Sequence, residues 1–200
     1  MQEIRLLSRA APRPFGPLLK VLLLTGQRRN EVAGMTRDEL SEDGATWNIP
    51  GSRTKNGRAH MVPLAPLVRK LIASVSGKPG KFVFTTTGRT HVSGWSRTKA
   101  RLDAAMLAIA RQERGEDAAI PPWRLHDLRR SAVTGMVELG VAPHVVELAV
   151  NHISGTRAGV AGIYNRSEML PRRKEALERW AAHIAGLVSG REAKIVSMRR

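Results

Sequence analysis

The stretch Leu125-His-Asp-Leu-Arg-Arg-Ser-Ala-Val-Thr-Gly-Met-Val-Glu-Leu-Gly140 is the part of the chain that best indicates its fold. Apolar residues recur in it at helical spacing: Leu125, Leu128, Ala132, Met136 and Leu139. Gly140 suits the position just past the last turn. His126 and Arg129 lie near the start, three residues apart, so their Cβ atoms are about 5 to 6 Å apart on one face. The stretch therefore predicts a helix that buries one face and presents a histidine and an arginine together.

Helices are also predicted on both sides of this stretch. Pro17 precedes an apolar run that ends at Gly26, and Pro143 begins another that ends near Val150. Apolar residues at helical spacing, or a Pro or Gly at an element end, predict helices over residues 17–25, 64–74, 96–112, 143–150 and 173–188. A further helix is expected to begin near Gln27 or Arg28.

Residues 47–64 have a different pattern, that of a β-hairpin. Asn56-Gly57 stands between two short extended runs, which is the strongest short-range hairpin signal. Lys55 is then expected at the tip or shoulder of the hairpin. A third strand is predicted over 81–86, ended by Gly88. The predicted fold class is mainly α with a small antiparallel β-sheet (α+β).

The 200 residues are typical of one domain. Residues 1–15 are basic, contain two prolines and are interpreted as a linker or helix remnant that leads into the domain. Residues 16–188 are expected to form the domain itself, and residues 189–200 a basic tail.

The charge of the chain indicates a polyanionic partner. Lys and Arg number 33 against 17 Asp and Glu, giving a formal net charge of +16 and a pI near 11.5. The 42% of hydrophobic residues are enough for a core, so this charge decorates a folded domain. The absence of cysteine excludes disulfides, thiolate zinc sites and thiol nucleophiles. We expect a cytoplasmic protein without membrane segments, since no apolar run approaches the roughly 18 residues that span a bilayer.

Several residues have side chains suited to phosphate chemistry, although each has an ordinary structural interpretation when taken alone. Arg28 and Glu31 share a helix face, where an arginine binds an anion or forms a surface ion pair. Lys55 is either a turn lysine or a proton donor. His152 follows a predicted helix end, and Tyr164 is the only tyrosine of the chain.

Together these residues resemble the catalytic boxes of the tyrosine recombinases of the phage integrase family. The boxes are Thr25-Gly-Gln-Arg-Arg-Asn-Glu31, Thr54-Lys-Asn-Gly-Arg58, His126-Asp-Leu-Arg-Arg130, Asn151-His152 and Tyr164, in the family's order. The match covers roughly residues 16–184, and the box at His126 is the most specific of the five.

The resemblance implies roles for the matching residues. Tyr164 attacks the scissile phosphate of duplex DNA to give a 3′-phosphotyrosyl link and a free 5′-hydroxyl. Arg28 and Arg129 hold the non-bridging oxygens, and Lys55 protonates the leaving oxygen. His126 and His152 assist phosphate binding and proton movement.

Other side chains are expected to support this chemistry. Glu31 and Asp127 are the supporting carboxylates, and Arg53, Arg58 and Lys99 are candidate DNA contacts. No cofactor or metal is expected, because the covalent intermediate stores the phosphodiester bond energy. The expected partners are double-stranded DNA, further copies of the chain as a tetramer on DNA, and DNA-bending accessory proteins.

The chain also departs from the family pattern. Asn151 stands where a glycine commonly precedes the box histidine, and Gln27 replaces a usual aliphatic residue. Family members usually carry an N-terminal DNA-clamping domain, so residues 1–15 are interpreted as the remnant of one and the chain as a fragment or truncated product.

Alternatives from other classes are a catalytically weak or inactive DNA-binding fragment, a nicking and religating enzyme like a type IB topoisomerase, and a structural protein of ribosomal type. A helix-turn-helix module over residues 125–150 is a further alternative, although its second helix is apolar.

Overall fold

The computed structural model describes residues 2–11, 15–75, 80–152 and 169–190. Its α-helices are α1 Gln2–Ala10, α2 Phe15–Thr25, α3 Arg29–Ala33, α4 Pro66–Ser74, α5 Trp95–Arg114, α6 Asp127–Glu138, α7 Pro143–Ala149 and α8 Leu170–Ser189. Two strands, β1 Thr46–Ile49 and β2 His60–Pro63, form an antiparallel sheet. The mainly α fold with a small antiparallel sheet is confirmed, and so are the helices predicted from periodicity.

Helix α2 lies at the centre of the molecule. Leu18, Leu19 and Val21 are fully buried, and α2 packs against α4, α6 and α8. The apolar run of α2 is continuous because neighbours surround it, so nearly all its faces meet other side chains. Gly26 follows with φ +63°, a left-handed conformation that turns the chain towards α3.

The sheet keeps the alternation expected of a half-buried hairpin. Trp47 pairs with Val62 and both are fully buried, while Ile49 pairs with His60. The connection is residues 50–59, including one 3₁₀ turn over Gly51–Arg53. The predicted antiparallel hairpin is confirmed, and Gly57 adopts a positive φ of 71° within its loop.

The predicted third strand over 81–86 is wrong. Within the part of the chain that the structure describes, this segment makes a single bridge, between Thr36 and Phe82. The Val83 amide donates to the Met35 carbonyl at 2.9 Å, but the chain after Thr36 enters a 3₁₀ turn and leaves no ladder to extend. Val83 and Phe84 are nonetheless buried, and Phe84 is fully enclosed. The apolar composition of this segment thus agrees with its burial. The segment is not a strand because the chain it faces turns away after Thr36.

Residues 2–10 pack into the core. Ile4, Leu6 and Leu7 on α1 are buried, and α1 lies against α5 and α8. The Arg5 Nε donates to the Leu187 carbonyl at 2.6 Å. These contacts place α1 against the same core as α5 and α8, and the interpretation of residues 1–15 as a linker or the remnant of a further domain stays a prediction.

Helices α6, α7 and α8 pack together over the side of α2. The Trp180 indole on α8 donates to the Leu23 carbonyl at 2.8 Å, and a Cβ at Gly135 would lie 2.2 Å from the same ring. Val145 and Val146 bury the apolar face of α7. This burial argues against α7 as the recognition helix of a helix-turn-helix. None of the helices within the described ranges has the length and apolar character needed to cross a membrane.

Candidate active site

A basic cavity of about 740 Å³ opens between the α2–α3 turn, the β1–β2 loop, the start of α5 and the residues that lead into α6. Among the described residues, its charged lining consists of seven cationic side chains and one carboxylate, with His126 beside them: Arg28, Arg29, Arg53, Lys55, Lys99, Arg124, Arg129 and Glu31. Such an excess of positive charge in a concave site attracts an anion. The structure thus brings Arg28, Lys55, His126 and Arg129 to one cavity.

Arg28 is fixed at the start of α3 by Glu31. The Glu31 carboxylate accepts from the Arg28 backbone amide at 2.9 Å and from its Nη1 at 3.1 Å. Glu31 is only 3% exposed and the Arg28 side chain 22% exposed, so this pair is shielded from water. The Nη2 of Arg28 donates to the Asn151 carbonyl at 3.1 Å. Arg28 is therefore held from two sides with its guanidinium at the cavity wall.

Arg129 is the more deeply buried of the two arginines, at 7% exposure. Its Nη1 donates to the Gly26 carbonyl at 2.7 Å. Burial, and then the charge of Arg28, lower the pKa of Arg129 to about 10, while Glu31 opposes the shift. The guanidinium stays charged at neutral pH. Two like charges near one buried carboxylate favour the arrival of an anion, which relieves their repulsion.

The end of α7 and the residues just after it form a junction with side chains from the α2–α3 turn, β2 and the start of α3. The Ala149 carbonyl accepts from Gln27 Nε2 at 2.8 Å and lies 3.1 Å from His60 Nε2. The Asn151 carbonyl accepts from Arg28. Carbonyl groups at a helix end lack partners within the helix, so these side chains satisfy them. Gln27, which replaces the family's usual aliphatic residue, therefore has a structural role: its amide binds the end of α7.

Lys55 is exposed on the loop between β1 and β2 and lines the cavity. Thr54 closes the loop: its hydroxyl contacts the Gly51 carbonyl at 3.1 Å and the Arg58 carbonyl at 2.8 Å. The loop therefore has an ordered base, and the lysine stem extends from it.

His126 and Asp127 stand at the start of α6. The His126 carbonyl accepts from the Arg129 and Arg130 amides at 3.1 and 3.2 Å, which begins the helix. Asp127 accepts from the Arg124 amide at 2.8 Å and forms an ion pair with Arg130 at 3.3 Å. The Arg124 backbone hydrogen bond is the main reason that the pKa of Asp127 is lowered. Asp127 thus fixes the turn that precedes His126.

His152 and Tyr164 are placed differently. The exposed His152 side chain is not among the groups that line the cavity, and its Nδ1 lies 3.8 Å from a Glu147 carboxylate oxygen. His152 nevertheless follows Asn151 directly, whose carbonyl binds Arg28. Tyr164 lies outside the described residues.

The three candidate DNA contacts differ in their surroundings. Arg53 pairs with the buried Glu39 at 2.6 Å and donates to the carbonyls of Glu31 and Gly34. Its donors thus point at protein acceptors, which favours a role in holding the loop. Arg58 is exposed and not among the lining residues. For all three, contact with DNA stays a prediction.

Lys99 lines the cavity and is the best placed of the three. Its ammonium group contacts Asp103, with Nζ to Oδ1 at 2.7 Å, and lies 4.1 Å from the centroid of the Trp123 ring. Arg29 lies similarly over Trp95, at 5.3 Å. Neither tryptophan was predicted from the sequence to belong to the site. A tryptophan close in sequence to basic residues was the available signal, at 95–99 and 123–124.

The chain matches the model of the phage integrase family over residues 5–169. It is 30% identical over 171 residues to prophage integrase IntA of Escherichia coli (strain K12), covering 84% of this chain and 38% of that protein. It is 28% identical over 165 residues to the integrase of Shigella phage Sf6, covering 81% and 40% respectively. The chain thus spans about two fifths of the length of these relatives.

Two solved structures share the fold. The Tn1549 transposon integrase, in complex with transposon right end DNA, superposes with a TM-score of 0.59 at 16% identity, over 87% of this chain and 62% of that one. The XerA recombinase gives a TM-score of 0.55 at 16% identity, over 86% and 59%. Because the family model matches most of its length, the chain belongs to the phage integrase family and has the fold of a tyrosine recombinase catalytic domain.

Proposed function

We propose that this chain is the catalytic part of a site-specific DNA recombinase, an integrase that cleaves and rejoins DNA through a 3′-phosphotyrosyl intermediate on Tyr164. One observation carries the proposal: Arg28 and Arg129, from opposite halves of the chain, meet Lys55 and His126 around one basic cavity. The family match and the DNA in the transposon integrase structure support DNA as the substrate.

In this mechanism Arg28 and Arg129 bind the non-bridging oxygens of the scissile phosphate. Both guanidinium groups are fixed before DNA arrives, by Glu31 and by the Gly26 carbonyl. Donors fixed in advance stabilise the charge of the transition state without further reorganisation. The same cations favour the phenolate of Tyr164, because a phenol with an ordinary pKa near 10 is a weak nucleophile at neutral pH.

The bond changes balance without an external energy source. The Tyr164 oxygen bonds to phosphorus, the bond from phosphorus to the 5′-oxygen breaks, and Lys55 gives a proton to that oxygen. The proton of the phenol leaves to solvent or to a base such as His126 or His152. Attack by a 5′-hydroxyl then reverses these steps, because one phosphodiester has been exchanged for another.

Three further features belong to the proposal. The chain acts in the cytoplasm of a bacterium, on double-stranded DNA, as suggested by its relatives from Escherichia coli and a Shigella phage. It works on DNA as a tetramer, and DNA-bending accessory proteins assist it. The supporting observations are the charge of +16 and the basic cavity.

The test is covalent trapping on a pool of nicked duplexes with randomised sequence. A nick beside the cleaved bond releases a short strand, so the covalent complex accumulates and can be isolated under denaturing conditions. Sequencing the attached DNA identifies the preferred site. The matched control is Tyr164→Phe, which removes only the hydroxyl. An adduct with the original chain alone supports the proposal.

Other outcomes favour the alternatives. DNA binding without an adduct would favour a catalytically inactive DNA-binding fragment. An adduct without sequence preference, together with relaxation of supercoiled plasmid, would favour an activity like that of a type IB topoisomerase.

A further inference from the structure

Asn151 adopts a left-handed backbone conformation, with φ +53°, and no other non-glycine residue does so in the described ranges. Asparagine tolerates this region better than most residues because its short amide side chain can form local hydrogen bonds. Here the side chain bonds to a residue 95 positions away. The unusual backbone and the distant partner together indicate that Asn151 holds a junction.

The partner is Asn56, on the loop between β1 and β2. Asn56 Nδ2 donates to Asn151 Oδ1 at 2.8 Å, and Asn151 Nδ2 donates back to Asn56 Oδ1 at 3.4 Å. Both side chains are partly buried. The two amides thus form a closed pair in which each donates to and accepts from the other.

Each member of the pair is also tied to its own side of the cavity. Asn56 Oδ1 accepts from the Arg58 amide at 3.2 Å and lies 3.1 Å from the Thr54 hydroxyl oxygen, which fixes the loop around Lys55. The Asn151 carbonyl accepts from Arg28 Nη2 at 3.1 Å. The pair therefore connects the backbone next to Lys55 with the group that holds Arg28.

We propose that Asn56 and Asn151 are positioning residues, which hold the Lys55 loop in register with Arg28 and with the segment that contains His152. The inference rests on the proposed function and deepens it. Lys55 is exposed on a flexible stem, so its backbone must be fixed if its ammonium group is to reach one oxygen of the DNA. The amide pair supplies that restraint from the opposite half of the chain.

The expected consequence is specific to proton donation by Lys55. The 5′-oxygen leaves as an alkoxide unless it receives a proton, whereas a sulfur at the same bridging position leaves as a much weaker base. A substrate with a bridging 5′-sulfur therefore needs no proton donor. A misplaced Lys55 slows cleavage of the oxygen substrate and spares the sulfur substrate.

The experiment compares four single variants, and the double variant of Asn56→Ala with Asn151→Gly, on both substrates, using the DNA site recovered from the randomised pool. Asn151→Gly keeps the left-handed backbone and the carbonyl that binds Arg28 but removes the amide. Asn56→Ala removes the partner, and Lys55→Ala sets the full effect of losing the donor. Asn48→Ala, an exposed asparagine on β1, is the matched control.

We expect Asn151→Gly and Asn56→Ala to slow adduct formation on the oxygen substrate by about 10- to 100-fold, because small misplacements of catalytic groups have effects of this size. The sulfur substrate should react at nearly the original rate, as with Lys55→Ala. The double variant should lose no more than either single one, since both changes break one pair. Equal losses on both substrates, or no loss, would overturn the inference.

A second measurement separates this inference from the proposed function. The Gly57 amide bonds to the Thr54 carbonyl at 3.3 Å and the Arg58 amide to Asn56. We expect Asn151→Gly to speed hydrogen exchange at both amides in the free protein, without DNA. If the original chain forms no adduct, the proposed function fails while exchange still reports on the pair. Unchanged exchange in Asn151→Gly would show that the pair does not hold the loop.

Discussion

The Nη1 of Arg129 lies 2.7 Å from the carbonyl oxygen of Gly26, so a hydrogen bond joins residues 103 positions apart. Gly26 has φ +63°, and a Cβ there would lie 2.9 Å from Cγ1 of Val150 and 3.3 Å from Cβ of Ala132. The turn after α2 is therefore packed against both α6 and the end of α7. The glycine permits this approach, and its carbonyl holds the buried arginine.

Gly26→Ala should destabilise the fold by more than the backbone cost alone. A left-handed conformation costs a residue with a Cβ roughly 1–2 kcal/mol, and the contact with Val150 adds about 1–3 kcal/mol of overpacking. The measurement is the free energy of unfolding in urea. Gly57→Ala is the matched control, because Gly57 has φ +71° but nothing within 4 Å of its Cβ position. Equal losses in the two variants would mean that Val150 yields without cost.

Arg129→Lys should reduce adduct formation by roughly 10²- to 10³-fold, the usual effect of removing one donor from a transition-state site. Lysine keeps the charge but cannot bind the Gly26 carbonyl and a phosphate oxygen through one planar group. The rate of covalent trapping measures the effect. Arg130→Lys is the control, since the Arg130 side chain is 76% exposed and pairs only with Asp127 among the contacts described. Similar rates for both variants would contradict the role of Arg129.

Much of this architecture was predictable from the sequence, because local signals and burial agree. Helix α2, for example, begins near Pro17 and ends before Gly26, and its apolar residues match its complete burial. The sheet was predictable as a hairpin, but its loop was not. Thr54 closes residues 50–59 through bonds to Gly51 and Arg58, and no local rule anticipates that set of partners.

The candidate site was predictable as a set of residue types but not as a set of contacts. Arg28 and Glu31 share a helix face, so their pairing follows from spacing. The Asn56–Asn151 pair joins residues far apart in the sequence, and the Lys99–Trp123 contact joins α5 to the segment before α6. Neither contact follows from local spacing, because only the packing of the folded chain brings these residues together. The residue type of Arg53 suggested a DNA contact, but its side chain forms an ion pair with the buried Glu39.

DNA binding by this chain should weaken steeply with salt. If about six phosphates are contacted, the logarithm of affinity should fall against that of salt with a slope near −5. Arg124→Gln, at the cavity, should reduce the steepness of this slope by about one. Arg111→Gln is the control, because it lies about 18 Å along α5 from Lys99, far from the cavity. Fluorescence anisotropy with a labelled duplex measures the salt dependence of the original chain and of both variants. A flat salt response of the original chain would contradict DNA as the partner.

His60 should make the fold sensitive to mild acid. It is buried between β2, the end of α7 and α8, where its Nε2 lies 3.1 Å from the Ala149 carbonyl and its Nδ1 3.4 Å from Arg173. Burial, and then the charge of Arg173, lower the pKa of His60 to about 3. The folded state therefore keeps this ring neutral through the pH range in which the unfolded chain protonates it, below about 6.5.

Because the unfolded state binds the extra proton, stability is fully present above pH 6.5 and falls as pH drops from there towards 3. The loss amounts to about 1.4 kcal/mol per pH unit, or about 2 kcal/mol at pH 5. Urea unfolding at pH 7.5 and 5 measures it. His60→Asn should be less stable at neutral pH but should lose this part of the pH dependence, whereas His144→Asn, an exposed change at the start of α7, should keep it. If His60→Asn retains the full loss between the two pH values, the acid sensitivity comes from other groups and His60 does not hold the junction as a neutral ring.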